Sequence, residues 1–89
     1  MRVHISAEDN LEVWRLFHKY NALLNVLAYI NQHTDKYTDF MEQKIEEATE
    51  LYIELEMAKT KCKIKYEPKD NFYSTYTFDF EKQELIFGD

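Results

Sequence analysis

Four glutamates recur at every fourth position in the second half of this 89-residue chain, and they are its most conspicuous set of reactive groups: Glu42, Glu46, Glu50 and Glu54. Positions four apart lie on one face of a helix, where each pair of like charges destabilises the helix by about 0.2–0.5 kcal/mol. Helix stability therefore does not explain this carboxylate column. The spacing predicts either a docking face for a basic partner or a solvated face that keeps a small protein in solution.

Signatures of catalysis and of metal binding are missing from the sequence. No Glu is followed by a His three residues later, as a di-metal carboxylate bundle requires, and His4, His18 and His33 are too widely spaced to ligate one metal. Cys62 has no visible base beside it and falls on the predicted inner face of a helix, which favours a packing role. A single glycine, Gly88, excludes glycine-rich phosphate loops. We therefore predict no enzymatic activity, no catalytic residue, no metal and no cofactor.

Overall charge restricts the classes of partner. The net charge is −6, which disfavours nucleic acid, since phosphates require a basic footprint. A lysine cluster is the one feature that points the other way, and its residues also suit the negative end of a helix dipole: Lys59, Lys61, Lys63, Lys65 and Lys69. One cysteine and the lack of a long apolar run predict a cytoplasmic protein with no membrane segment.

The carboxylate column must be positioned by helices. Apolar residues at alternating spacings of three and four predict a first helix over about residues 7–32, beginning after an N-cap at Ser6: Val13, Leu16, Tyr20, Leu23, Leu27 and Ile30. Trp14, Phe17, Leu24 and Val26 widen this stripe beyond one helix contact. Trp14, Phe17 and Leu24 are candidates for self-association, and we expect either a homo-oligomer or another layer of the same chain to cover this flank.

A second helix is predicted over about residues 37–66, antiparallel to the first because the connection is short. Its predicted inner face, supported by Phe40 and Leu51, is Met41, Ile45, Ala48, Tyr52, Leu55, Ala58 and Cys62. Residues 61–66 also alternate in the manner of a strand, but Pro68 is well placed to end a helix that reaches Tyr66, and we favour the helix.

The segment FYSTYTFDF and the residues after it predict a β-hairpin over about residues 72–87. Tyr76, Phe78 and Phe80 are expected on one face, with Leu85 and Phe87 from the second strand. Together with Tyr73 these three rings are candidate partner-binding residues. They can also serve as a lid on the core, and the outer strand can accept an extended peptide. Residues 1–5 alternate like a short edge strand.

The predicted fold is therefore α+β, a single domain over residues 1–89 with an antiparallel two-helix hairpin followed by a C-terminal β-hairpin. The segments LFHKYNALLNVLAYIN and FMEQKIEEATELYIELEMAKTKCKIKY, with the aromatic tail, resemble small accessory proteins that partner radical-SAM maturases of ribosomally synthesised peptides, including splicease-type systems. The resemblance covers about residues 11–66. It implies a non-catalytic role in binding the maturase, its precursor peptide or both. An alternative from the carboxylate column is an acidic inhibitor of phage or antitoxin type, whose carboxylates occupy the places of nucleic-acid phosphates.

Overall fold

A computed structural model describes residues 1–33, 39–69 and 75–88. The elements follow in the order β1 (Arg2–His4), α1 (Ala7–His33), α2 (Asp39–Tyr66), β2 (Thr75–Asp79) and β3 (Glu84–Gly88). This confirms the α+β fold with a helical hairpin and a C-terminal β-hairpin. The helix continues through residues 61–66, so the strand alternative for this segment is wrong. The predicted start of α2 at residue 37 lies outside the described residues.

Helix α1 begins as the sequence predicts. The backbone N–H of Asp9 donates a 3.1 Å hydrogen bond to the Ser6 hydroxyl, which satisfies one of the free amides of the first turn. Val13 and Leu16 of the predicted seam are buried against α2. The seam therefore sets the face with which α1 packs on α2.

Helix α2 turns a narrower face to α1 than the sequence predicts. Ala48, Leu55 and Cys62, each seven residues apart, are its buried residues, and Leu51 and Ala58 fill the intervening positions. Ile45 and Tyr52, which were predicted to face inward, are exposed instead. A repeat of seven residues leaves both of them on the shoulder of the buried row.

The three strands form one antiparallel sheet in the order β1-β3-β2. Residues 2–4 therefore add a third strand to the predicted hairpin, and β3 lies at the centre. Tyr76 is paired with Phe87, and Phe78 with Leu85, which confirms that these rings share one face. Leu85 and Phe87 lie on the same face of the sheet as these rings and are fully buried, together with Ile5. On the other face the Arg2 guanidinium reaches Asp79 and Glu84.

The molecule is elongated because the sheet covers only one end of the helical hairpin. Its extents are 52 × 22 × 18 Å, and its radius of gyration is 16.2 Å, whereas a compact domain of this length has about 12 Å. We call residues 7–17 and 55–66 the covered end, where Phe78 and Phe80 pack on the helices. We call residues 20–33 and 39–52 the open end, and among its residues only Ala48 is buried. Neither of the described helices has an apolar stretch long enough to cross a membrane.

Candidate functional site

A groove runs between the two helices at the open end. It has a volume of about 380 Å³, and its lining is mostly apolar: Tyr20, Leu24, Leu27, Ile45, Ala48, Thr49 and Tyr52. The Tyr20 and Tyr52 rings lie 5.7 Å apart at its inner end. Leu24, Ile45 and Tyr52 remain 40%, 42% and 48% exposed on its walls. We call this depression the open groove.

The same side of the helical hairpin is filled at the covered end. Phe17 and Leu24 are seven residues apart and therefore lie on one side of α1. At Phe17 the Phe80 ring packs 5.7 Å away, and Phe78 stacks on Phe80 at 5.8 Å with an interplanar angle of 13°. The chain thus covers this side at one end with its own aromatic rings. At Leu24 the part of the chain that the structure describes places no third element over it.

The rings of the β-hairpin, predicted as partner-binding residues, point toward the helices. Tyr76, Phe78 and Phe80 are half-buried, and they line a cleft of about 210 Å³ together with Phe17 and Leu55. The structure therefore brings these three residues together but packs them on the core. Tyr73 lies outside the described residues.

The carboxylate column is exposed along α2. Glu42, Glu46, Glu50 and Glu54 make no ion pair within residues 1–33, 39–69 and 75–88. Two other glutamates of the helix do find lysines, as Glu47 contacts Lys44 at 3.3 Å and Glu56 contacts Lys59 at 3.2 Å. Among the described residues of α2, the carboxylate column therefore differs from Glu47 and Glu56 in having no lysine partner.

A second exposed apolar surface on α2 was missed in the sequence. Ile53, Met57 and Ile64 are 52%, 67% and 72% exposed, and with Thr60 they line a shallow depression of about 590 Å³. Their spacings of four, three and four could have revealed it, but the prediction assigned a single apolar face to α2. We call these four residues the outer stripe. The outer stripe lies on the same side of α2 as the carboxylate column and begins one turn after Glu50, because Ile53 follows Glu50 by three residues.

Two of the three candidates for self-association are neighbours. Trp14 and Phe17 both pack against His18, with ring centroids 4.3 Å and 5.6 Å apart, and Phe17 also packs against Phe80. Leu24 lies two turns further on, in the open groove. All three are exposed, but Leu24 belongs to a different surface.

A polar cluster joins the beginning of α1 to the end of α2. The Tyr66 hydroxyl donates a 2.6 Å hydrogen bond to Asp9 Oδ2 and accepts one of 3.1 Å from the Ser6 backbone N–H. Lys65 Nζ lies 2.8 Å from the same carboxylate oxygen. The ammonium of Lys65 and then the Tyr66 hydroxyl lower the pKa of Asp9 to about 2, and Asp9 in turn raises the pKa of Lys65. This arrangement fixes the two helices to each other.

Cys62 is buried in the covered end, and burial raises the pKa of its thiol. A raised pKa keeps the group protonated, which suits packing and not nucleophilic attack. Within the described ranges no three His, Cys, Asp or Glu side chains are grouped so that they could hold a metal ion.

Comparison of the chain with protein-family models, with curated proteins and with solved structures finds no match. Three surfaces of the described residues stand out: the open groove, the carboxylate column and the outer stripe.

Proposed function

We propose that the protein is a small non-catalytic accessory protein that acts by binding a protein or peptide. The radical-SAM maturases and precursor peptides implied by the sequence resemblance are the first partners to test. The observation that carries the proposal is the open groove, an apolar surface between two helices that the described part of the chain leaves uncovered.

The covered end shows how a partner segment can pack in the open groove. There, Phe78 and Phe80 pack on the side of the helical hairpin on which the open groove continues. A partner segment with two large apolar side chains can bind in the open groove in the same way, since its walls are also apolar. Glu42 and Glu46 lie next to Ile45 along α2, and these exposed carboxylates favour a segment that also carries basic residues.

Binding is tested with the purified protein, a candidate radical-SAM maturase and its labelled precursor peptide. We expect the native chain to co-purify with the enzyme or to bind the peptide in fluorescence anisotropy. Leu24→Glu is expected to weaken this binding at least about tenfold, because it places an unpaired charge in a desolvated contact. Val26→Glu is the matched control, as Val26 is also on α1, is 43% exposed and lies outside the open groove.

Circular dichroism of both variants verifies that the helices are intact, which is expected because glutamate is a good helix former. If the native chain binds neither the enzyme nor the peptide, the accessory role is contradicted. Equal effects of the two variants contradict the open groove as the binding site.

A second candidate function follows from the unpaired carboxylate column. An acidic inhibitor of a nucleic-acid enzyme would present these exposed side chains where phosphates bind. Under this hypothesis the double variant Glu46→Lys/Glu50→Lys abolishes inhibition, and inhibition by the native chain weakens steeply with salt. Val26→Glu and Leu24→Glu would leave inhibition intact, which separates this function from the accessory role.

A further inference from the structure

The outer stripe is a compact apolar surface on the side of α2 that points away from α1. Ile53, Met57 and Ile64 together expose on the order of 400 Å² per chain, within the roughly 300–600 Å² that the largest apolar patch of a monomer covers. A patch of this size commonly marks an interaction site. We infer that the outer stripe is the contact between two copies of this chain, which pack their α2 helices antiparallel.

The spacing of the outer stripe fits a two-fold axis. Positions 53, 57, 60 and 64 are separated by four, three and four residues, so the order of spacings is the same in both directions. In an antiparallel pair centred between residues 58 and 59, Ile53 meets Ile64 of the second copy, and Met57 meets Thr60 of the second copy. The contact is then isologous, as a C2 dimer requires.

The charges beside the outer stripe complement one another in the same arrangement. Glu54 and Lys61 lie seven residues apart on one side of the stripe, and neither has an ion pair among the residues that the structure describes. Antiparallel packing brings each Glu54 within about 3 Å, along the helix axis, of Lys61 of the second copy. Glu56 and Lys63 come equally close on the other side, where each already has an ion-pair partner in its own chain, Lys59 and Glu67. Side chains of this length span such an offset.

The carboxylate column excludes the parallel alternative. In a parallel pair Glu46 and Glu50 would face the same residues of the second copy, and like charges in contact oppose association. In the antiparallel pair Glu50 lies opposite Glu67 of the second copy, beyond the end of α2 at Tyr66, and Lys63 of that copy compensates the charge of Glu67 at 2.9 Å. Glu42, Glu46 and Glu50 of the two copies then project from opposite ends of the dimer, and the helix dipoles also oppose each other favourably.

The contact is short and only partly apolar, which is typical of a weak, reversible association. In the antiparallel pair, residues 51–66 of the two α2 helices lie side by side over about 24 Å. The outer stripe supplies on the order of 400 Å² of exposed area, which is below the roughly 800 Å² per partner of a standard interface. We therefore expect a reversible dimer with a dissociation constant on the order of micromolar. The outer stripe and the open groove lie on different sides of α2, and Tyr52 borders both depressions. The proposed dimer rests on the outer stripe and not on the open groove, so it does not depend on the partner proposed above.

Analytical ultracentrifugation of the native chain over a range of concentrations tests the dimer. Met57→Lys, at the centre of the outer stripe, is expected to weaken dimerisation at least about hundredfold, because it places two ammonium groups in the contact. Val26→Lys, an exposed apolar residue of α1, is the control and leaves the dissociation constant within about twofold. A native chain that stays monomeric, or a dimer that Met57→Lys does not weaken, overturns the inference.

Charge exchange and cross-linking test the orientation. Glu54→Lys and Lys61→Glu each weaken the dimer, and the double variant restores it. Ile53→Cys mixed with Ile64→Cys forms a disulfide-linked heterodimer. Ile53→Cys alone does not, because in the antiparallel pair the two copies of position 53 are about 16 Å apart. Cross-linking of Ile53→Cys with itself would contradict the antiparallel arrangement.

Discussion

The covered end and the open end of the helical hairpin have the same pattern of apolar residues but different burial. At the covered end Val13, Leu16, Leu55 and Cys62 are buried beneath the rings of the β-hairpin. At the open end Tyr20, Leu23, Leu27 and Ile30 continue the same seam of α1, yet each remains partly exposed. The two ends differ because, among the described residues, the β-hairpin forms a third layer over the covered end and does not reach the open end.

Two helices in contact bury only a strip along each of them, and their shoulders stay in water unless another element covers them. The sheet provides that cover for about half the length of the helices. We therefore regard the covered end as the part that holds the fold and the open end as the part available for contacts. The following substitutions test this division, in order of expected effect.

The largest expected difference is between matching leucine substitutions at the two ends. Leu55→Ala, at the covered end, removes a side chain that is 4% exposed and packs with Val13 and Leu16, and we expect it to lower the free energy of unfolding by about 3 kcal/mol. Leu24→Ala, at the open end, should cost less than about 1 kcal/mol. Urea denaturation of both variants measures the difference. Similar losses would contradict the division between the two ends.

The next effect concerns the hydroxyl of Tyr66. Tyr66→Phe keeps the ring in the core but removes the group that donates to Asp9 and accepts from the Ser6 backbone N–H. We expect a loss of about 1–2 kcal/mol in the free energy of unfolding. Tyr29→Phe at the exposed open end is the matched control and should change it by less than about 0.5 kcal/mol. If both variants match the native chain, the polar cluster does not stabilise the covered end.

The smallest effect is the dependence of stability on acid pH. The folded state lowers the pKa of Asp9 from its ordinary 3.8 to about 2. Between these values the unfolded chain binds the proton more readily, so the contribution of Asp9 is complete above pH 3.8 and is lost as the pH falls toward 2. We expect a loss of about 1 kcal/mol, because Lys65 is 57% exposed and solvent screens the pair.

Asp9→Asn removes the titrating group and should flatten this part of the profile. The measurement is the urea midpoint of the native chain and of the variant at about pH 5 and about pH 2.5. Asp79 also has a lowered pKa, mainly because its carboxylate accepts the Lys82 backbone N–H, so only the difference between the two chains reports on Asp9. An identical acid decline in both would contradict the role of Asp9.

Much of the fold could be predicted because helix periodicity is a local property. The seam residues of α1, the N-cap at Ser6 and the end of α2 before Pro68 all depend on near neighbours in the chain. The facing residues of the β-hairpin were also correct, because alternation fixes which side chains share a face.

The errors arise where the outcome depends on what packs above a residue. In α2, spacings of three and four residues are compatible with a buried row that includes Leu51 and with one that includes Tyr52. The position of α1 decides between the two rows, and it favours Leu51. The outer stripe was missed for a related reason, since its apolar residues alternate with Glu54, Glu56 and Lys61 in the sequence. The hydrogen bond from Tyr66 to Asp9 joins residues 57 positions apart, so a local sequence pattern cannot predict it.

The position of β1 has a consequence for how the chain reaches its folded state. The N-terminal ammonium of Met1 and the carbonyl of Phe87 are 2.8 Å apart although 86 residues separate them in sequence. Helical contacts are local and form quickly, whereas closing so long a loop carries a large entropic cost. During synthesis residues 2–4 are made roughly eighty residues before their neighbouring strand, Glu84–Gly88. The sheet is therefore completed after the helical hairpin has been made, and until then the apolar surface of the covered end is as bare as that of the open end.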